Sequence, residues 1–202
     1  MGTPNGTKCI CLLEWIDHIS KTPYNEPFWP SCLTRTGVEQ RLMARGTHNA
    51  LPDSRNENIL IYINGELLPR NEAKISVFDS GYLVGDGVWE AVRLHQGVLV
   101  FLDEHLDRLW QGAATIGMDI GMSREALTGV IWETLRANNM TDNVHVRFML
   151  TRGIKKTPSQ DPRLTLSGPN LVIIPEHKQP DPATRETGVR LFTSTIRRGS
   201  PD

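Results

Sequence analysis

From residue 59 onward the apolar positions of this chain recur at regular spacings; before it they do not. Residues 1–58 scatter Pro, Thr, Asn and Trp without a sustained period. That composition reads as an extension, partly disordered or draped on a surface, with room for one short helix at residues 12–19. Residues 59–63 suit a strand, Asn64-Gly65 is a two-residue hairpin turn, and residues 66–68 begin the return. A short strand is predicted at residues 75–78. A second hairpin follows, with strands at 88–95 and 98–101 around Gln96-Gly97. Leu102, Leu106, Leu109, Trp110, Ala113 and Ile116 then fall on one stripe of an amphipathic helix that Asp103 can cap. A second helix, capped by Ser123, turns Leu127, Val130, Ile131, Thr134 and Leu135 inward and ends at Asn138-Asn139. Residues 144–151 alternate: Val144, Val146, Phe148 and Leu150 on one face, His145, Arg147 and Met149 on the other. After a loop at 153–169, rich in Pro, Lys and Gly, two further strands are predicted at 171–174 and 189–196.

Strands grouped around two consecutive helices indicate an α+β fold: a small lobe with a largely antiparallel sheet. Helices on one sheet face leave the other available to a second lobe. Composition changes this picture little. The 202 residues are 39% apolar and 22% charged with net charge −1, which gives no bulk electrostatic reason to expect nucleic acid or an anionic membrane as partner. Cys9, Cys11 and Cys32, an odd number at one end, form neither a disulfide framework nor a four-ligand zinc set, so no metal is expected. No run of eighteen apolar residues exists to span a membrane, and the run Cys9–Leu13 is too short for a secretory signal. Cytoplasm is the expectation by elimination, with an organelle address left open by the arginines of the extension.

The residues able to carry chemistry lie between 85 and 165. Gly85-Asp86-Gly87 makes an unhindered turn into the strand Val88-Trp89-Glu90-Ala91-Val92-Arg93. His105-Leu106-Asp107-Arg108-Leu109 follows on the first long helix. A guanidinium such as that of Arg108 can grip a phosphate through paired charge-assisted hydrogen bonds; alternatively it is a solvated helix arginine paired with Glu104. Trp89 and Arg93 share one strand face, as do His145 and Arg147. Trp89 is either part of a ligand site or a buried core tryptophan, Arg93 either reaches an anion or stands at the sheet edge, and His145 and Arg147 are either ligand contacts or the exposed polar face of a half-buried sheet.

Together, the Gly-Asp-Gly-Val-Trp-Glu-Ala-Val-Arg stretch and the His-x-x-Arg-Leu motif resemble the class IV, fold-type IV aminotransferases, which use pyridoxal 5′-phosphate (PLP). The resemblance covers about 140 residues and makes 59–175 the N-terminal lobe, with 176–202 an interdomain strand and the start of a C-terminal lobe. It implies a phosphate contact from Arg108, and substrate contacts from Trp89, Arg147, Arg93 and His145. Trp89 stands where relatives carry Phe or Tyr, and Arg147 where an arginine favours a second carboxylate such as that of glutamate. The implied reaction moves an amino group between an amino acid, branched-chain-like, and a 2-oxo acid, and family members are typically homodimers. Relatives acting on D-amino acids carry an Arg-x-His trap in the loop after Thr151-Arg152-Gly153. Here Arg163 is followed by Thr165 in place of the histidine, which argues against that substrate class. The family's cofactor-bearing lysine lies shortly after a strand like 189–198. None of Lys8, Lys21, Lys74, Lys155, Lys156 and Lys178 falls in that context, so this chain alone is expected not to transaminate. The alternatives are a truncated, non-catalytic homologue that acts as a binding or regulatory partner, and, if a full chain exists, an enzyme resembling aminodeoxychorismate lyase. The Lys155-Lys156 pair reads as a solvated loop.

Overall fold

Asn64 and Gly65 both adopt positive φ, 50° and 104°, the backbone a tight two-residue hairpin demands. They join β1 (Leu60–Ile63) to β2 (Glu66–Pro69). This is seen in a computed structural model that describes residues 52–183, and beyond them 186, 188, 189, 191 and 193–196. All of these belong to one compact unit, Arg45–Asp202. After β2 come a short helix α1 (Ser80–Val84), strands β3 (Gly87–His95) and β4 (Val98–Val100), helices α2 (Leu102–Thr115) and α3 (Arg124–Ala137), then β5 (Val144–Thr151) and β6 (Asn170–His177). The six strands form one sheet in the order β2-β1-β6-β5-β3-β4, with every pairing antiparallel.

The sheet buries the face that alternation predicts. Val92, Leu94, Val144, Val146, Phe148, Leu150 and Ile173 join Leu106, Leu109 and Ala113 of α2 and Leu127, Ile131 and Leu135 of α3 in one core. The expected α+β lobe with two consecutive helices is therefore the fold observed. Ser123 caps α3 through a 3.1 Å bond from Ala126 N, and Asn138 closes it. No helix among the described residues is long and apolar enough to cross a membrane.

Four local expectations change. Residues 75–78 form no strand: Ser76 accepts from Phe78 N and Asp79 N, a local turn that competes with extension. Ile75, Val77 and Phe78 are left exposed, and Asp79 instead caps α1. Asp103 is not the cap of α2. The chain enters that helix through Phe101 in the left-handed region (φ 54°), so Asp103 sits with Glu104 in the first turn, where acidic side chains suit the helix dipole. Of the strand expected at 189–196, the described residues 189, 191 and 193–196 are not extended in any sheet. Residues 54–58, placed by sequence within the extension, form a 3₁₀ turn fastened to β6: Asn56 Nδ2 donates to His177 O and His177 N donates to Asn56 Oδ1, both at 2.8 Å. The helix expected at 12–19 and the three cysteines lie outside the described residues.

Candidate functional site

Because side chains alternate along a strand, β3 sends Trp89, Ala91 and Arg93 to the face away from the helices, and β5 sends His145, Arg147 and Met149 there. Register then places Trp89 opposite Met149, Ala91 opposite Arg147 and Arg93 opposite His145, with Val172 and Ile174 of β6 completing the surface. The four sequence-predicted substrate residues are thus brought together on one open face. Trp89 is 58% exposed. The Arg147 guanidinium lies over its ring, 4.4 Å from the centroid, and no described carboxylate pairs with it. Arg93 is more constrained, since its Nη2 donates to Asn143 Oδ1 and Lys178 O, both at 3.1 Å. Burial, aided by the cations Lys178 and Arg147, holds the His145 imidazole below its ordinary pKa of 6.5, so it is neutral at neutral pH.

Arg108 is not on that face. It belongs to α2, on the other side of the sheet, and its partner is not Glu104 but Glu90. Glu90 points into the helix-packed side of β3 and is only 4% exposed. Arg108 Nε donates to Glu90 Oε1, Arg108 Nη2 donates to Oε2 at 2.6 Å, and His105 Nδ1 stands 2.7 Å from the same Oε2. An ionised carboxylate only accepts, so His105 carries its proton on Nδ1. The Arg108 side chain remains 69% exposed. Of its five N–H donors, Nε–H and one on Nη2 go to Glu90, leaving Nη1 and the other Nη2 hydrogen for an anion.

Burial on its own would raise the Glu90 pKa, but the bonds from Arg108 and His105 outweigh it and hold the carboxyl below its ordinary 4.5. The stability this carboxylate contributes is complete above that unfolded value and drains away as pH falls through the lower folded value. Wild-type stability is therefore expected to drop as pH is lowered from about 5 through this window, and Glu90→Gln to show a shallower drop. Urea midpoints measured across that range check this; parallel curves would show that Glu90 is not the titrating group.

Three further features frame the site, and sequence reading missed them. Arg152 grips Asp86 with Nε (2.7 Å) and Nη2 (3.0 Å) while donating to Ile116 O and Gly117 O past the end of α2, which pins the Gly85-Asp86-Gly87 turn. Asp79, fully buried, gathers α1, β5 and β6. Lys155 is 2% exposed and donates from Nζ to Asp161 O at 2.9 Å, so it is no solvated loop residue. Glu90 did leave a sequence signal: a lone carboxylate among Val88, Val92 and Leu94 on the apolar side of β3. Asp86–Arg152 left none, since that pairing depends on how two distant loops meet, and Lys155–Asp161 left none, since the acceptor is a backbone carbonyl within the same loop. Arg163 is spent on Asp161 in an exposed 3₁₀ turn. Among the described residues no group of three or more His, Cys, Asp or Glu is placed to hold a metal.

Known proteins similar to this chain agree on family. A family model described as amino-transferase class IV matches residues 87–202. Branched-chain-amino-acid aminotransferase-like protein 1 of Arabidopsis thaliana is 41% identical over 153 residues, 76% of this chain and 27% of its own length. D-alanine aminotransferase of Staphylococcus haemolyticus is 39% identical over 94 residues, 46% of this chain and 33% of its own. This chain thus spans about a quarter to a third of those relatives. Among solved structures, a branched-chain amino acid aminotransferase from T.th., complexed with N-(5′-phosphopyridoxyl)-L-glutamate, superimposes with a TM-score of 0.52 at 25% identity, over 58% of this chain and 40% of that one.

Proposed function

Because the chain belongs to the class IV aminotransferases, we propose that the whole protein uses PLP to transfer an amino group between an amino acid, branched-chain-like, and a 2-oxo acid, with Arg108 on the cofactor's phosphate. The observation that carries this reading is a gap in the sheet. β4 pairs with β3 only at Arg93–His95, so among the described residues nothing pairs with Gly87–Val92 on that side. At this free edge Trp89 faces one way and Glu90, holding Arg108, the other. A ligand that reaches both Arg108 and Trp89 crosses the edge. The donor set also fits the group. Three N–H donors on an exposed guanidinium, braced from behind by a buried carboxylate, suit a phosphate dianion.

When bound, PLP supplies an electron sink for bond changes at the substrate Cα. In this reading the chain's own residues bind and orient. Arg108 holds the phosphate. Trp89, Ala91, Met149, Val172 and Ile174 offer an apolar wall to a branched side chain. Arg147 attracts a second carboxylate, as of a glutamate-like partner substrate. Arg93 steadies the neighbouring end of the face through Asn143 and Lys178, and neutral His145 offers a hydrogen bond there without adding charge. A homodimer is part of the proposal, supported by the exposed Ile75, Val77, Phe78 and Tyr82, which would gain from cover.

The test is phosphate-ester binding. PLP titrated into the chain and followed by ³¹P NMR is expected to shift the ester resonance. Arg108→Gln is expected to weaken binding about tenfold or more, as the loss of a charge-assisted contact implies. Equal affinity in wild type and variant would overturn the assignment.

A further inference from the structure

We infer that Trp89 is a positioning residue: its indole holds the Arg147 guanidinium flat on the open sheet face, so that the arginine presents a fixed edge to a carboxylate. This rests on the proposed reading of Arg147 and extends it to the residue that aims it. Register makes the pair diagonal neighbours. Trp89 faces Met149 and Arg147 faces Ala91, so the two side chains are one diagonal step apart, within reach of long groups. Ala91 is small, which leaves the arginine stem room to lean across toward Trp89.

The Arg147 guanidinium carbon lies over the ring, 4.4 Å from its centroid, so the ring covers one side of the group; a parallel stack would leave its N–H donors pointing outward in the plane of the group. No described carboxylate pairs with it, and its register neighbours Ala91 and Ile174 offer no side-chain acceptor. Without the indole the same arginine would sweep through many rotamers and meet a carboxylate in few of them. The ring therefore acts on selectivity: it favours a dicarboxylate, whose second carboxylate finds an oriented donor edge, over a monocarboxylate of similar size. Phenylalanine in its place would offer a smaller, weaker platform, and leucine none, while both keep the site apolar.

The experiment uses the full chain with two inert probes, glutarate and 4-methylvalerate, and reads the Arg147 Nε–H and Hδ resonances by NMR. In the wild type the Hδ protons are expected upfield from the ring current, and glutarate to move Nε–H at lower concentration than 4-methylvalerate. Trp89→Leu is expected to return Hδ to ordinary values and weaken glutarate about two- to fivefold, the range of an exposed cation–π contact; Trp89→Phe should recover part of both. Arg147 resonances unchanged in Trp89→Leu would overturn the stacking. Restored resonances with undiminished glutarate affinity would overturn the positioning role while leaving Arg147 as an anion contact. Undiminished glutarate binding in Arg147→Gln, or no preference for glutarate in the wild type, would sink the reading of Arg147 itself and the inference with it.

Discussion

Asp79→Ala is expected to destabilise the fold by about 3–4 kcal/mol, more than any surface change, because one buried carboxylate satisfies four donors. Its Oδ1 accepts from Gly81 N at 2.8 Å and Tyr82 N at 3.4 Å; its Oδ2 accepts from Thr151 Oγ1 at 2.7 Å and Asn170 Nδ2 at 2.6 Å. Alanine leaves these donors facing one another, and Asn170 is itself buried. Water cannot easily replace the carboxylate at a site with no exposure. Asp79→Asn should cost about half as much: its carbonyl replaces one oxygen, and the Thr151 hydroxyl can rotate to accept from its amide. Urea unfolding at constant slope measures both. A loss for alanine below about 1 kcal/mol would mean that the network is not sealed from solvent. The effect would reach the site, since this cluster ties the first turn of α1 to the end of β5 and the start of β6, just ahead of the Gly85-Asp86-Gly87 turn.

Gly153→Ala is expected to cost about 2–4 kcal/mol, from backbone strain and overpacking together. Gly153 has φ +116°, and a Cβ there would stand 2.3 Å from Gly168 O and 2.5 Å from Ser167 Oγ. The first of these is backbone and cannot swing aside. Relief requires the loop after β5 to part from residues 167–168, or Gly153 O to release Ser80 N, now bonded at 2.9 Å. Gly129→Ala is the matched control: it lies within α3 with open space at its Cβ, and should gain about 0.5–1 kcal/mol from helix propensity. Thermal unfolding of the two variants should therefore move in opposite directions. Equal shifts would show that the Gly153 loop yields without strain.

The fold was legible wherever period and turn chemistry agreed. β5 shows this most plainly, its alternating Val144, Val146, Phe148 and Leu150 all buried and His145, Arg147 and Met149 turned away. Residues 75–78 were not legible, because an apolar run reads as a strand whether or not a partner strand exists, and here Ser76 and Asp79 turned the chain instead. At the site, the shared face of Trp89, Arg93, His145 and Arg147 followed from period two. The pairing of Arg108 did not. Glu104, one helical turn away, was the local candidate, whereas Glu90 lies 18 positions back on another element.

What the amino-acid order determined by itself was therefore local: element types, which side chains share a strand face, the hairpin at Asn64-Gly65, and the motifs that mark the family. Those depend on dihedral preferences and spacing within a few residues. Tertiary structure alone decided which polar groups meet: Glu90 with Arg108 and His105, Asp86 with Arg152, and Asp79 with Thr151 and Asn170. Such contacts arise only when packing removes water from groups far apart or on different elements, so their partners are chosen by the geometry of the assembled sheet and helices.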